Sequence, residues 1–247
     1  MPRTVPLRVR LVGRTELVAP EDLPFTSDAD GGQAVAELAG RAVYQSWARE
    51  RPATASNAGF LAHLVQVGHL SVLEHASATL HVSGVSRAVA HEVVRHRHLS
   101  VSELSPRHVP SAESEIAVPE LVAQDPVATQ MFDEAVDAAR RAHDALLARL
   151  AESGATTPAA RKQARQVALG VLPRASATEL VVTGSYRAWR HFVAARGTDL
   201  TDPEVRALAV ACLGVLRVEA PHVFADFETS TLTDGSTVAS SPYAIVG

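Results

Sequence analysis

The sequence predicts an α+β fold in a single domain over residues 1–247, with a small mixed or antiparallel sheet and several long helices. Segments with apolar residues at helical spacing outnumber those that alternate with period two. No internal repeat or low-complexity stretch marks a linker. The balance of 47% hydrophobic and 20% charged residues is that of an ordinary globular chain, and 247 residues suffice for one large domain or two small ones.

Leu7, Val9 and Leu11 alternate with Arg8, Arg10 and Val12 and predict a half-buried strand running to about Val18. A turn-rich stretch from Pro20 to Gly32 follows. Ala34 to Trp47 has helical spacing, with Leu38, Ala42 and Gln45 or Ser46 on one face, and Asn57 to Val67 repeats the pattern. Ala76 to Val82 predicts a strand, and Ser86 to Arg95 a helix with Val89, Val93 and Val94 inward. Asp125-Pro126 combines an N-cap with proline at the first helical position. It opens a long amphipathic helix through Met131, Val136, Leu146 and Leu150, ending near Gly154. Thr157-Pro158 opens another, which ends at Pro173. Glu179 to Thr183 is a short β-prone run, and Tyr186 to Arg196 is helical up to Gly197. Thr201-Asp202-Pro203-Glu204 reads as a capping box starting the last long helix toward Val218. Asp234-Gly235 reads as the turn of a terminal hairpin.

Composition excludes several classes of function. A single cysteine, Cys212, leaves no disulfide framework and no cysteine-built zinc site. The apolar stretches around Val205 to Val218 and Val167 to Leu172 are broken by Arg or Gly well before the roughly 20 residues of a membrane span. The N-terminus has neither an apolar core nor a small-residue cleavage site, which predicts no secretory signal and a cytoplasmic protein. Of 23 basic residues only Lys162 is lysine, so nearly all the positive charge is guanidinium. Either genome bias or a need for planar anion-binding forks would account for that.

The densest polar signal runs from Arg95 to His108, where three arginines, three histidines, three serines and Glu103 fall within fourteen positions. Guanidinium forks take phosphate or carboxylate oxygens in two-pronged geometry, and serine hydroxyls add short donors. The plain alternative is a solvated helix terminus. Pro106 and the serines oppose helix, so these side chains are expected on a loop suited to an anionic ligand. His91 and His96 are spaced i to i+5, which on a helix turns the second imidazole about 140° from the first, so zinc is not expected. The net charge of −4 and 4% aromatic content disfavour nucleic acid. Ser105 lacks the context of a nucleophile elbow, so an oriented hydroxyl is expected there.

Arg95-His96-Arg97, followed by Ser100, Glu103, Ser105 and Arg107, resembles the signature of the flavin-dependent thymidylate synthases. Gly68-His69 through Glu74-His75 resembles the family's upstream segment, and Tyr186 through Arg196 its downstream one, so the likeness covers nearly the whole chain and is greatest to the actinobacterial branch. The resemblance implies a homotetramer with active sites shared between subunits. It implies FAD as cofactor, NADPH and 5,10-methylenetetrahydrofolate as cosubstrates, and a uridylate as substrate. Composition and spacing add the expectation of no nucleic acid or membrane partner and no metal. By position, Ser71, Arg95, His96, Arg97, Glu103, Arg187 and His191 match flavin-contacting residues. Arg87, Glu92, Arg95, Ser105 and Arg107 match nucleotide-contacting ones, and Arg196 matches the arginine that favours ionisation at N3 of the pyrimidine. A guanidinium in that place raises electron density at C5 without a covalent adduct. That agrees with Cys212 lying in an apolar helical context.

Four positions depart from the family pattern: Leu169 stands for a uridylate-binding arginine, Ser185 for asparagine, His108 for tyrosine and Leu200 for histidine. Losing an arginine fork from a nucleotide costs about 1.5–3 kcal/mol unless it is replaced. Three readings follow: conversion of dUMP to dTMP; a specialised paralogue methylating UMP, as in nucleoside-antibiotic pathways; and a flavin-binding protein without methylase activity. His63, His81, His143 and His222 read as ordinary surface or core histidines, and Trp47 and Trp189 as packing residues.

Overall fold

A computed structural model describes residues 5–105, 115–152 and 157–244. Half the described residues are helical, 50% against 18% strand, in line with an α+β class dominated by helices. The strands are β1 (Arg8–Arg14), β2 (Ser77–Ser86), β3 (Leu99–Glu103), β4 (Ala177–Ser185), β5 (Glu228–Thr231) and β6 (Thr237–Ser240). The helices are α1 (Gly31–Tyr44), α2 (Asn57–Gln66), α3 (Arg87–Val94), α4 (Glu120–Ala123), α5 (Pro126–Glu152), α6 (Pro158–Ala168), α7 (Tyr186–Arg196) and α8 (Pro203–Glu219). The first four strands form a small antiparallel sheet in the order β1-β2-β4-β3, and β5 and β6 pair as a separate hairpin. No helix among the described residues is long and apolar enough to cross a membrane.

Contacts divide the chain into two compact units. One comprises Arg8–Val82, Glu92–Val101 and Val181–Gly247. Its core gathers Leu80 and Val82 of β2, Val182 of β4, Tyr186, Trp189, Phe192 and Val193 of α7, and Leu208, Leu213 and Leu216 of α8. The Trp189 indole N–H donates to the Ala78 carbonyl at 3.0 Å, so its one polar atom is satisfied inside the apolar core. Gly32 lets α1 approach α7: a Cβ there would sit 2.4 Å from the Tyr186 hydroxyl oxygen. The turn of the β5–β6 hairpin uses Gly235 at φ 84, a backbone conformation that suits glycine.

The buried face of α1 differs from the predicted one. It consists of Gln33, Ala36, Glu37, Gly40 and Arg41, while Ala42 is exposed. Glu37 accepts from Arg41 Nε at 2.7 Å, Ser27 Oγ at 2.6 Å and Asn57 Nδ2 at 2.9 Å. Asn57 Oδ1 lies 2.8 Å from His222 Nδ1. A helix face of this kind is buried because its polar groups find partners, which an apolar periodicity does not register.

The other unit comprises Met1–Leu7, Ser83–His91 and Ser102–Leu180. Asp125 caps α5 through Val127 N at 2.8 Å, and Thr157 caps α6 through Ala160 N at 3.1 Å, as the sequence indicates. Of the expected α5 stripe Val136 is buried, whereas Met131 is 67% and Leu146 37% exposed. Helix α5 ends at Glu152, and Gly154 lies outside the described residues. Helix α6 stops at Ala168 and continues as a 3-10 turn, Leu169–Val171, before Pro173.

Other expectations are corrected. β1 stops at Arg14, short of Val18, and β4 is longer than Glu179 to Thr183. On α3, Val89, Ala90 and Val93 are buried and Val94 is 47% exposed, because Val94 lies about 100° around the helix from Val93. The Arg95–His108 stretch is not all loop: Leu99–Glu103 is strand β3. The N-cap of α8 is Asp202, accepting from Glu204 N at 3.0 Å, while Thr201 Oγ1 lies 3.2 Å from Thr198 Oγ1.

Candidate functional site

In the larger unit the turn between α3 and β3, residues 95–98, faces helix α7. Ser185 ends β4 and caps α7 by accepting from Ala188 N at 3.1 Å, so the helix begins with no intervening loop. The His96 ring meets Phe192 edge-on at 5.1 Å between centroids and His191 at 6.2 Å. Around these rings lies a cavity of about 190 Å³ lined by Arg95, His96, Arg97, His98, Leu99, Ala188 and His191. Four of the seven, Arg95, His96, Arg97 and His191, are flavin-matching positions.

Arg196, in the last turn of α7, borders this arrangement. Its Nε donates to His96 Nε2 at 2.9 Å, and its Nη2 to Glu92 Oε2 at 3.1 Å. The other Glu92 oxygen accepts from Arg95 Nη1 at 3.1 Å. One carboxylate is therefore shared by two guanidinium groups, and an imidazole completes the chain Arg95–Glu92–Arg196–His96. A guanidinium has only donors, so His96 Nε2 accepts and the ring proton sits on Nδ1. Burial first, then the charge of Arg196 with His191 and Arg95, pushes the His96 pKa down to about 4 against the pull of Glu92. His96 is thus neutral at neutral pH.

Ser71 is exposed on the 3-10 turn Leu70–Glu74. Glu74 at its end pairs with Arg187 in the first turn of α7. Arg187 and His191 are i, i+4 neighbours on one exposed helix face. Glu74 was not among the residues singled out from the sequence; an acidic residue within the flavin-matching segment was the available signal.

Arg87, Glu103 and Ser105 belong to the other unit. Arg87 Nη2 lies 3.2 Å from Glu103 Oε1, which also accepts from Thr178 Oγ1 at 3.2 Å. The nucleotide-matching arginine and a flavin-matching carboxylate therefore hold each other. Thr178, buried on β4, carried no sequence signal. Ser105 lies two residues past the end of β3, and Arg107 and His108 lie outside the described residues. Among the described residues no three His, Cys, Asp or Glu side chains are grouped to hold a metal ion.

Residues 26–222 match the family model described as thymidylate synthase complementing protein. The chain belongs to this family. Flavin-dependent thymidylate synthases of Mycobacterium tuberculosis strain H37Rv and Mycobacterium marinum are 52% identical to it over 247 residues, with 99% of each chain covered. That of Mycobacterium avium is 51% identical over the same span.

Within the thymidylate synthase complementing protein family two departures now have a structural reading. Serine serves as well as asparagine at an N-cap, so Ser185 keeps α7 in place. Leu200 is 94% exposed beyond the end of α7, where a changed side chain disturbs no packing. Leu169 opens the 3-10 turn after α6 and supplies no charge there. Cys212 is 1% exposed on α8, and burial pushes its thiol pKa up, so it is held as the un-ionised, non-nucleophilic form. Cys212→Ala is therefore expected to retain methylase turnover within about threefold in a steady-state assay, the cost falling on core packing. An inactive variant with an intact fold would restore covalent catalysis by a thiolate.

A larger cavity of about 500 Å³ lies between α1 and α2 and contains none of the motif residues. Its wall is scaffold: Arg41 is engaged with Glu37 and the Ser46 and Thr54 carbonyls, and Arg49 with Glu37 and the Ala55 carbonyl. Tyr44 on its rim lies 2.8 Å from His69 Nδ1.

Proposed function

We propose that the protein is a flavin-dependent methyltransferase that converts dUMP to dTMP, with methylenetetrahydrofolate as carbon donor and NADPH as reductant. The observation that carries this reading is Arg196, anchored by Glu92 and His96 beside a cavity rich in arginine and histidine. The residues fit FAD: Arg95 and Arg97 offer exposed guanidinium groups to its phosphates, and the small cavity accommodates part of such a molecule. Ser71, Glu103, Arg187 and His191 are proposed as further flavin contacts. Arg87, Glu92, Arg95, Ser105 and Arg107 are proposed to hold the nucleotide. When bound, reduced FAD supplies the hydride, and the protein's part is to position and polarise.

Arg196 acts on the pyrimidine. Its charge stabilises negative charge developing on the ring when N3 loses its proton, which raises electron density at C5 and makes that carbon the nucleophile. Glu92 and His96 fix the guanidinium plane, so little reorganisation is needed as charge develops. The sites are proposed to be completed by other subunits of a homotetramer, which agrees with a cavity far smaller than the three bound molecules together.

The purified protein is expected to be yellow and to take up FAD on titration. A side-by-side turnover assay of dUMP and UMP with methylenetetrahydrofolate, NADPH and FAD is expected to show methylation confined to dUMP. Leu169 in place of an arginine favours the second reading, methylation of UMP, and strong UMP turnover would select it. A yellow protein that methylates neither nucleotide would be a flavoprotein of another activity.

A further inference from the structure

We propose that His96 is a positioning residue for Arg196, an uncharged acceptor that fixes the guanidinium without neutralising it. The proposal rests on the reading that Arg196 polarises the pyrimidine. Arg196 spends its Nε–H on His96 and one Nη2 hydrogen on Glu92, so among the described residues three of the five N–H donors of a guanidinium remain for an anionic ring. Two anchors on different nitrogens fix the plane of the fork, whereas one carboxylate alone leaves it able to pivot. Were the second anchor also a carboxylate, it would offset the positive charge on which polarisation depends. Neutral imidazole orients and leaves the charge in place.

The surroundings maintain that state. Phe192 and His191 of α7 meet the His96 ring edge-on, so it has little freedom to turn away. The groups facing it are Arg196 and His191 from α7, Glu92 from α3, and Arg95 with Arg97 and His98 from its own turn. With a single carboxylate among them, they disfavour a second proton on the ring. Protonation would remove the lone pair that Arg196 needs and set two cations 2.9 Å apart. The His side chain of the Arg-His-Arg signature thus serves the pyrimidine-polarising arginine.

The test uses the FAD-saturated enzyme and two substitutions. His96→Gln keeps an acceptor oxygen near the position of Nε2; His96→Phe keeps the ring against Phe192 and loses the acceptor. The expected result is about a 100-fold fall in kcat for dUMP methylation in the Phe variant and recovery to within about tenfold in the Gln variant, the scale of losing orientation of one catalytic group. In an Arg196→Lys background His96→Phe is expected to add less than about threefold, since the two act as one unit. Should the Phe variant fail to fold, His96→Asn, whose shorter amide does not reach Arg196, makes the same comparison. Equal losses in the Gln and Phe (or Asn) variants, or an undiminished loss in the Lys background, would overturn the proposal while leaving the methylase reading intact. A wild-type enzyme that methylates neither nucleotide would remove both.

Discussion

Arg196→Lys is expected to lower kcat for dUMP methylation by about 10²–10³-fold, the scale set by removing one preorganised donor from a developing negative charge. Lysine keeps the positive charge but is a point donor on a flexible stem, so it gives up the planar fork held by both His96 and Glu92. In the proposed role the interaction is strongest when N3 has lost its proton, so kcat and kcat/KM are expected to fall together. FAD content, read from the visible absorption of the purified variant, is expected to stay near that of the wild type. A lysine variant with wild-type turnover would take the polarising role away from Arg196. A variant that loses FAD in proportion to activity would make Arg196 a flavin-binding residue instead.

The largest expected effect on stability is at Asp226. Arg190, 2% exposed in the core beside α8, donates from Nη1 to the Val223 carbonyl and to Asp226 Oδ1, each at 2.5 Å, and from Nη2 to Asp226 Oδ2 at 2.7 Å. Ser241 also donates to Asp226, which ties the segment after the β5–β6 hairpin to the same carboxylate. Asp226→Ala leaves a buried guanidinium without its counter-charge, and breaking a pair of this kind costs about 3–5 kcal/mol. Urea unfolding monitored by circular dichroism measures it; a loss below about 1 kcal/mol would show the pair to be dispensable. Replacing both partners with apolar residues, Arg190→Met with Asp226→Leu, is expected to cost less than Asp226→Ala alone.

The pH dependence of this pair has a definite sign. Burial works to raise the Asp226 carboxyl, but the hydrogen bonds and charge of Arg190 outweigh it and hold the group below its ordinary 3.8. Its contribution is present above that value and is lost as pH falls through the lower folded-state value. His96 behaves differently. Its folded pKa of about 4 lies below the ordinary 6.5, so the unfolded chain binds the extra proton and stability declines as pH falls from about 6.5 toward 4. The two groups therefore make successive contributions on acidification, His96 first and Asp226 after.

What was legible in the sequence followed local chemistry. Asp125-Pro126 and Thr157-Pro158 marked helix starts because an N-cap and a proline act within three residues of each other, and Gly197 marked the end of α7 for a similarly local reason. Strand β3 was not read as one: Pro106 and the density of serines point to a loop, although Leu99 and Val101 alternate with Ser100 and Ser102. The face of α1 was not legible, since Glu37 is buried through partners at Ser27, Arg41 and Asn57, the last twenty positions away. At the candidate site, the resemblance names residues only one by one. It did not reveal that Arg196 rests on His96, 100 positions earlier, or that Arg187 pairs with Glu74, 113 positions earlier. Such pairs depend on how the chain returns on itself, and one sequence read alone carries no signal for them.

The direct passage from β4 into α7 at Ser185 bears on which changes of length the protein tolerates. Arg187, His191 and Arg196 are carried on one uninterrupted helix whose start is fixed by the end of a strand. An insertion of one residue between His191 and Arg196 would turn the arginine by about 100° and slide it by about 1.5 Å relative to the histidine. Side-chain replacement at the intervening positions is a graded change, but a single insertion or deletion there is all-or-none. Relatives with this chemistry are accordingly expected to vary in the letters of this segment and not in its count.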